Sequence, residues 1–232
     1  MISLIDALAD GNTDDASWRR HLLPIWGSKV VPHCLGKGLV IEPMSGLGAQ
    51  GYYLATEIGA DYFGFDIEPA VVAAARAKNL RRASFECLDA LSFPRPKRRA
   101  DVLLLGYEAI NAFPWPIQTK LLDWCGAVCA QNATLIIDFL SREARLPRFD
   151  LHHESRTLNT FIPRGDRLLT LSWELPNLLP RRSTRFTPYT KDLIDKLREL
   201  GGVVVDCQEP FSNAPTTKQC LTQMKTLIVK MP

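Results

Sequence analysis

The sequence is poor in the residues that mark metal centres and disulfide frameworks. Its 232 residues include four histidines and six cysteines, and no two cysteines form a C-x-x-C pair. Cys125 and Cys129 are four apart in a stretch of helical spacing, but no second pair of metal ligands follows them. We therefore predict reduced cysteines that pack as small apolar side chains, and no metal site.

The chain also lacks a charge bias and long apolar runs. It carries 28 basic and 25 acidic residues for a net charge of +3, too balanced to indicate a nucleic-acid partner. No apolar run reaches the roughly 18–20 residues that span a bilayer, and the first residues have no basic region of a signal peptide. These absences predict a cytoplasmic protein without a membrane partner. We also expect a monomer or a homodimer, and the sequence leaves the choice open.

Short apolar segments alternate with helical patterns from Gly38 onward. Five of them are predicted strands, at residues 38–42, 62–66, 83–87, 101–106 and 133–140. Helical spacing follows at 49–58, after Pro69 and at 116–130. Strands that alternate with helices in this way predict an α/β fold with a doubly wound, mainly parallel sheet.

The pattern changes after about residue 141. Residues 148–187 contain β segments separated by turns, which predict an antiparallel β insertion after strand five that acts as a lid. A helix with a Thr190 cap and a glycine stop follows, and two more strands close the chain, which brings the predicted sheet to seven strands. Residues 1–35 are predicted to form an N-terminal helical cap on a main domain spanning 36–232.

A glycine loop and three acids indicate a cofactor site at one edge of this sheet. The loop "EPMSGLGAQG" follows the first strand, where open parallel sheets bind ligands. Glu42, Asp66 and Asp89 end three consecutive parallel strands and converge on the same edge. A carboxylate at the end of strand two suits a pair of ribose hydroxyls, and one after strand three suits an adenine amino group. Because Gly46, Gly48 and Gly51 also satisfy G-x-G-x-x-G, the loop alone leaves a dinucleotide open.

These motifs together resemble those of the class I S-adenosylmethionine-dependent methyltransferases, in their small-molecule branch. "VIEPMSGLGAQGYYLA", "FGFDIEPAVVAAARAK", "CLDALSFP" and "DVLLLGYEAINAF" are similar to the first four motifs of that family. The resemblance implies a Rossmann-like methyltransferase fold, S-adenosyl-L-methionine as cofactor and a reversed hairpin as the closing strand pair. Met44 departs from the pattern, because the family usually has its first glycine there. The implied cofactor-binding residues are Glu42, Met44, Ser45, Gly46, Gly48, Asp66, Ile67, Asp89, Ala90 and Tyr107.

The same resemblance implies methyl transfer to an oxygen or nitrogen of a small, flat or aromatic molecule, as in secondary metabolism. Glu108 and Asn111 follow strand four and are predicted to orient the acceptor. His152 or His153 in the predicted lid, together with Tyr107, are the candidate catalytic groups. Aromatic side chains of the cap and lid are predicted to cover a flat acceptor: Trp18, Trp26, Phe149, Phe161 and Trp173.

Alternative functions share parts of these features. An NAD-dependent oxidoreductase would have the same sheet and glycines, but the chain has no Tyr-x-x-x-Lys pair and closes like a methyltransferase. RNA or protein methylation is a second alternative. "GYEAIN" stands where nucleic-acid amine methyltransferases carry an "NPPY"-type loop, and the net charge is low for an RNA enzyme. A non-catalytic binding domain on the same fold is a third.

Overall fold

The computed structural model describes residues 23–144, 149–152, 157–174, 181–209 and 224–232. Two sheets account for its strands. The larger has seven strands in the order β10-β11-β5-β4-β1-β2-β3. These are β1 (Leu39–Pro43), β2 (Asp61–Asp66), β3 (Ala83–Cys87), β4 (Ala100–Leu105), β5 (Cys129–Leu140), β10 (Val203–Gln208) and β11 (Met224–Lys230).

The large sheet is parallel except around β11. Strands β3, β2, β1, β4 and β5 pair in parallel, whereas β11 runs antiparallel to both β5 and β10. A dinucleotide-binding sheet has the strand order 3-2-1-4-5-6, with consecutive strands at its second edge. In this sheet the last strand of the chain, β11, lies between β5 and β10, which departs from that order. The seven-stranded, mainly parallel methyltransferase fold expected from the sequence is thereby confirmed.

Helices cover both faces of this sheet because its strands are apolar on both sides. They are α1 (Ala49–Ile58), α2 (Pro69–Ala77), α3 (Trp115–Val128) and α4 (Thr190–Glu199). One core lies between the sheet and α1, α2 and the helical residues 23–30; the other lies between the sheet and α3 and α4. Within the described part of the chain, no helix has the length and apolarity required to cross a membrane.

The second sheet is antiparallel, in the order β6-β7-β8-β9. Its strands are β6 (Phe149–His152), β7 (Thr157–Arg164), β8 (Arg167–Glu174) and β9 (Arg181–Phe186). They follow β5 in the chain, as the β segments after residue 141 predict. Phe161 and Leu168 form a small core with Leu140 at the end of β5, so this sheet packs at the carboxyl end of the large sheet.

The start of α4 differs from the prediction. Thr190 is the first helical residue and Tyr189 is the N-cap, without a side-chain cap of its own. The Glu143 carboxylate takes that role: it accepts hydrogen bonds from the Thr190 backbone N–H at 3.1 Å and from its hydroxyl at 2.7 Å. A distant acid therefore satisfies the helix end that the sequence assigned to a local threonine.

Candidate functional site

The loop after β1 has the backbone that a cofactor loop requires. Met44, Gly46 and Gly48 all adopt left-handed conformations, with φ of 54°, 54° and 75°. The Ser45 N–H donates to the Phe65 carbonyl at 3.0 Å and fixes the loop against the end of β2. Met44 therefore takes the conformation that suits the family's usual glycine, at a steric cost of about 1–2 kcal/mol for a residue with a side chain.

Two other glycines are required by close packing. A Cβ atom on Gly48 would lie 2.7 Å from the Phe85 ring, and one on Gly51 would lie 2.6 Å from the Glu42 carboxylate. Real Cβ atoms do not approach other atoms so closely. Gly51, the third glycine of the dinucleotide-like pattern, is thus explained by packing between α1 and β1, and it does not point to a pyrophosphate.

Glu42 orders the loop from below. Its carboxylate is buried and accepts hydrogen bonds from the Tyr62 hydroxyl at 2.6 Å and the Gly51 N–H at 3.3 Å. Burial raises the pKa of Glu42 to about 8, against the opposing effect of these two donors. The resemblance places this acid among the cofactor-binding residues, and its surroundings match a role in ordering the loop.

Asp66, the last residue of β2, is half-buried and contacts the glycine loop. One of its oxygens accepts from the Gly46 N–H at 2.9 Å and the other from the Glu68 N–H at 3.1 Å. Each oxygen of a carboxylate has a second lone pair, so the group retains capacity for further donors. Ile67, which follows it, exposes 64% of its surface. A half-buried carboxylate and an exposed apolar side chain thus adjoin at the end of β2.

Asp89 and Ala90 lie next to this edge, after β3. The Asp89 carboxylate accepts from the Leu91 N–H at 2.8 Å and caps the short 3-10 turn Ala90–Ser92. Ala90 is buried beneath the turn. The structure therefore brings the acids after β2 and β3 and the glycine loop to one end of the sheet, as predicted.

The loop after β4 has an unusual backbone. Tyr107 and Glu108 are consecutive left-handed residues, with φ of 48° and 59°. The Tyr107 N–H donates to the Gln50 side-chain oxygen at 3.1 Å. The Glu108 carboxylate, 9% exposed, forms an ion pair of 2.8 Å with Arg185 of β9. Burial raises the pKa of Glu108, whereas Arg185 acts in the opposite direction.

Asp138 is the central residue of this region that sequence reasoning missed. It is fully buried in β5 and accepts hydrogen bonds from the Trp26 indole at 3.2 Å and the Thr226 hydroxyl at 2.6 Å. It also accepts from the Gln50 amide, which in turn holds Tyr107. Burial raises the pKa of Asp138, opposed by these donors. The signal was present: an ionisable residue inside the apolar run "ATLIIDFL" requires buried partners.

Asn111 has a structural role, which corrects its predicted contact with an acceptor. Its side chain is fully buried; the amide donates to the carbonyls of Leu140 and Phe186 and the oxygen accepts from the Leu140 N–H. Gln118 of α3 donates to the same Phe186 carbonyl at 3.2 Å. The two amides fasten the end of β9 to the large sheet, and nothing in the sequence pattern marked Gln118 for this task.

The aromatic lining predicted for the acceptor is only partly described. Trp26 and Phe161 are core residues, 0% and 6% exposed, so they do not line an open site. Trp18 and His153 lie outside the described residues. The structure describes the backbone of His152, Phe149 and Trp173, which lie in strands, but it does not describe their side chains. The predicted catalytic role of the two histidines therefore stays a prediction.

The described cysteines and acids are not grouped as metal ligands are. Among the described residues, no group of three or more histidine, cysteine, aspartate or glutamate side chains is placed to hold a metal ion. Cys125 and Cys129 are buried thiols in the core under α3.

Comparisons with known proteins agree with this architecture. Residues 40–132 match the family model described as a methyltransferase domain. No curated protein sequence matches the chain. Among solved structures, an amino pentose methyltransferase of Micromonospora echinaspora, from calicheamicin biosynthesis, superposes with a TM-score of 0.71 at 13% identity, covering 90% of each chain.

Two further structures superpose over almost the whole chain. A sugar N-methyltransferase of Streptoalloteichus has a TM-score of 0.65 at 16% identity, covering 100% of this chain and 93% of its own. An S-adenosylmethionine-dependent methyltransferase of Clostridium acetobutylicum has a TM-score of 0.67 at 14% identity, covering 92% of each chain. At such identities the superpositions show the fold alone, and the family model adds a sequence match over residues 40–132. Residues 40–132 thus match a methyltransferase domain, and the chain as a whole has the fold of S-adenosylmethionine-dependent methyltransferases.

Proposed function

We propose that the chain transfers the methyl group of S-adenosylmethionine to an oxygen or nitrogen atom of a small molecule. The observation that carries this proposal is the edge formed by the glycine loop and Asp66 and Asp89. There a loop of left-handed residues, two carboxylates and the exposed Ile67 adjoin. This arrangement fits a nucleoside without phosphate groups better than it fits a pyrophosphate, which two nearby carboxylates would repel.

The cofactor residues then have distinct tasks. Asp66 accepts the ribose hydroxyls with its remaining lone pairs, and Ile67 and Ala90 contact the adenine that Asp89 recognises through its amino group. The backbone of Ser45, Gly46 and Gly48 contacts the amino-acid part. When bound, S-adenosylmethionine supplies a methyl group already activated by a sulfonium, so the protein has mainly to orient the acceptor.

The residues beside the proposed acceptor position favour a polar acceptor molecule. In this proposal the acceptor binds beside Tyr107 and Glu108 and beneath the second sheet, which acts as the lid. The Glu108–Arg185 ion pair offers both a carboxylate and a guanidinium to hydroxyl or amine groups. The core positions of Trp26 and Phe161 remove part of the support for a flat aromatic acceptor. Similar structures include enzymes named for an amino pentose and for sugar N-methylation, which is consistent with a sugar-like acceptor.

Methyl transfer to a neutral hydroxyl or amine releases one proton as the carbon–sulfur bond breaks and the new bond forms. Glu108 is suited to accept that proton, because burial raises the pKa of its carboxylate. This assignment makes Glu108 a catalytic residue where the sequence suggested a histidine. His152 and His153 remain the alternative bases.

Calorimetry with S-adenosylhomocysteine tests the cofactor assignment. We expect binding in the micromolar range, and a loss of about 1.5–3 kcal/mol in Asp66→Ala, the scale of a charged hydrogen-bond pair. Glu57→Gln, an exposed acid at the far end of α1, is the matched control. Heat with NADH and none with S-adenosylhomocysteine would contradict the proposal.

A transfer assay with labelled cofactor tests the acceptor class. Amino sugars and hydroxylated sugars are expected to be methylated in preference to phenols of similar size, and Glu108→Gln is expected to lower kcat more than it raises KM. A preference for phenols would restore the flat acceptor. A cytoplasmic location and a monomeric or dimeric state stay predictions from the sequence.

A further inference from the structure

The connection between β3 and β4 lacks the helix that normally covers a parallel sheet. Residues 88–99 are all described, and they contain only the 3-10 turn Ala90–Ser92 followed by a loop. Pro94 and Pro96 alternate in this loop, and each removes a backbone donor and disfavours helix at the residue before it. A crossover between parallel strands usually supplies a covering helix, so this connection leaves part of one sheet face without one.

A cavity of about 550 Å³ occupies the place of that helix. Its floor is a face of β1 and β2 on which Phe63 is half-buried, whereas Leu39, Ile41 and Phe65 are buried, 7%, 0% and 1% exposed. Leu88 and the two prolines add apolar walls. The volume lies within the range of small-molecule sites, about 300–1,000 Å³, and the floor is apolar as in such sites.

The rim of the cavity carries a surplus of positive charge. Arg82, Arg95, Lys97 and Arg98 line it, against two acids, Asp61 and Glu86. Asp61 pairs with Arg82 at 2.8 Å and with Arg98 at 3.4 Å, which leaves that cluster with one net positive charge. Arg95 and Lys97 form no ion pair with any described residue, and the exposed Glu86 offsets only one of these two charges.

The cavity is separate from the proposed cofactor site. Asp66 lies at the last residue of β2, whereas the cavity reaches Asp61 at the first residue of that strand. The lining also includes Phe65, but side chains of consecutive strand residues point to opposite faces of a sheet, so the Phe65 side chain enters the cavity and the Asp66 carboxylate does not. A ligand of this cavity therefore need not compete with the cofactor.

We propose that this cavity is a second binding site, for a small apolar carboxylate. The half-buried Phe63, Leu88, Pro94 and Pro96 contact the apolar body of such a ligand, and Arg95 and Lys97 at the rim attract its carboxylate. A neutral ligand of the same shape would gain the first contribution only, and a cationic one would be repelled. This inference goes beyond methyl transfer and does not depend on the proposed function.

Competition against a fluorescent apolar anion tests the proposal. The intact protein is saturated with S-adenosylhomocysteine, loaded with 1-anilinonaphthalene-8-sulfonate, and titrated with decanoate or with decanol. We expect decanoate to displace the probe at a concentration at least about tenfold lower than decanol, because only decanoate engages the rim charges. Equal displacement by the two would overturn the proposal.

Charge reversal locates the displaced probe. Arg95→Glu with Lys97→Glu is expected to raise the decanoate concentration for half displacement by about tenfold, since each exposed charge contributes only modestly. Lys29→Glu with Arg164→Glu makes the same change in net charge at exposed positions elsewhere, and should leave displacement unchanged. An equal effect of the two double variants on displacement would show that the effect follows from net charge alone. Loss of the probe signal on adding S-adenosylhomocysteine would place the probe in the cofactor site. Either outcome overturns the proposal.

Discussion

Replacement of Asp138 by leucine tests whether one buried carboxylate holds the carboxyl edge together. The carboxylate is fully buried and accepts hydrogen bonds from Trp26, Gln50 and Thr226, which lie on three separate segments. Leucine has a similar volume but no acceptor. Three donors would then be buried without partners, and each orphaned donor costs about 1–3 kcal/mol.

Part of this loss is offset. Burial raises the pKa of Asp138, so the native state already bears a penalty for the charged form, and leucine removes that penalty. We therefore expect the free energy of unfolding to fall by about 2–4 kcal/mol, toward the lower end of the three-donor sum. Unfolding in urea at neutral pH, followed by tryptophan fluorescence and by circular dichroism, measures it.

Two further variants separate the contributions. Thr226→Val removes one donor and leaves the carboxylate with two, so about 1 kcal/mol is expected. Asp138→Asn keeps an acceptor for Trp26 and Thr226 but turns an amide N–H₂ toward Gln50, which cannot reverse its own amide because its oxygen accepts from Tyr107. Asp138→Asn should therefore be less stable than Thr226→Val. An Asp138→Leu protein within about 0.5 kcal/mol of the native one would refute the reasoning.

Three more changes test other parts of the site. Glu42→Gln should flatten the pH dependence of stability. Because Glu42 has a pKa of about 8 in the folded state, the folded protein keeps a proton that the unfolded chain releases. The unfolding free energy of the unmutated protein should therefore fall as pH rises from about 5 to 8, by up to about 1.4 kcal/mol per pH unit. Parallel urea titrations of both proteins measure it, and identical slopes would contradict a raised pKa. Gly48→Ala should lose S-adenosylhomocysteine binding in calorimetry, because its Cβ would meet Phe85 at 2.7 Å on a left-handed backbone; unchanged affinity would show that the loop tolerates the shift. Glu143→Ala should lower the unfolding free energy by about 1 kcal/mol through loss of the cap at Thr190, and Glu143→Gln should have an intermediate effect. An unchanged unfolding transition in urea would indicate that water satisfies the Thr190 N–H as well as Glu143 does.

Local patterns in the sequence determined most of the fold. Alternation of apolar strands and helices is a short-range property, so β3 at Ala83–Cys87 and α1 at Ala49–Ile58 agree with the predicted bounds. The ends of consecutive parallel strands necessarily meet at one edge of a sheet, and this is why Glu42, Asp66 and Asp89 could be placed together without coordinates.

Pairings between distant segments were decided only by the tertiary structure. Asp138 depends on Trp26 and Thr226, 112 and 88 residues away, and Asn111 on the carbonyl of Phe186, 75 residues away. No local pattern encodes which buried polar groups will meet. The sequence therefore predicted that Asn111 orients the methyl acceptor, whereas in the structure Asn111 joins the two sheets.

The cavity beside β2 shows the same division between local and tertiary information. The run "FPRPKRRA" is visible in the sequence as a proline- and arginine-rich loop, and its charges by themselves favour a solvated surface over a binding patch. Only the folded chain shows that this loop stands where a covering helix is normal and that Phe63 and Phe65 lie beneath it. The sequence determined that no helix forms there, because prolines act locally. The empty volume that results depends on how far the neighbouring helices reach across the sheet, which is a property of the tertiary structure.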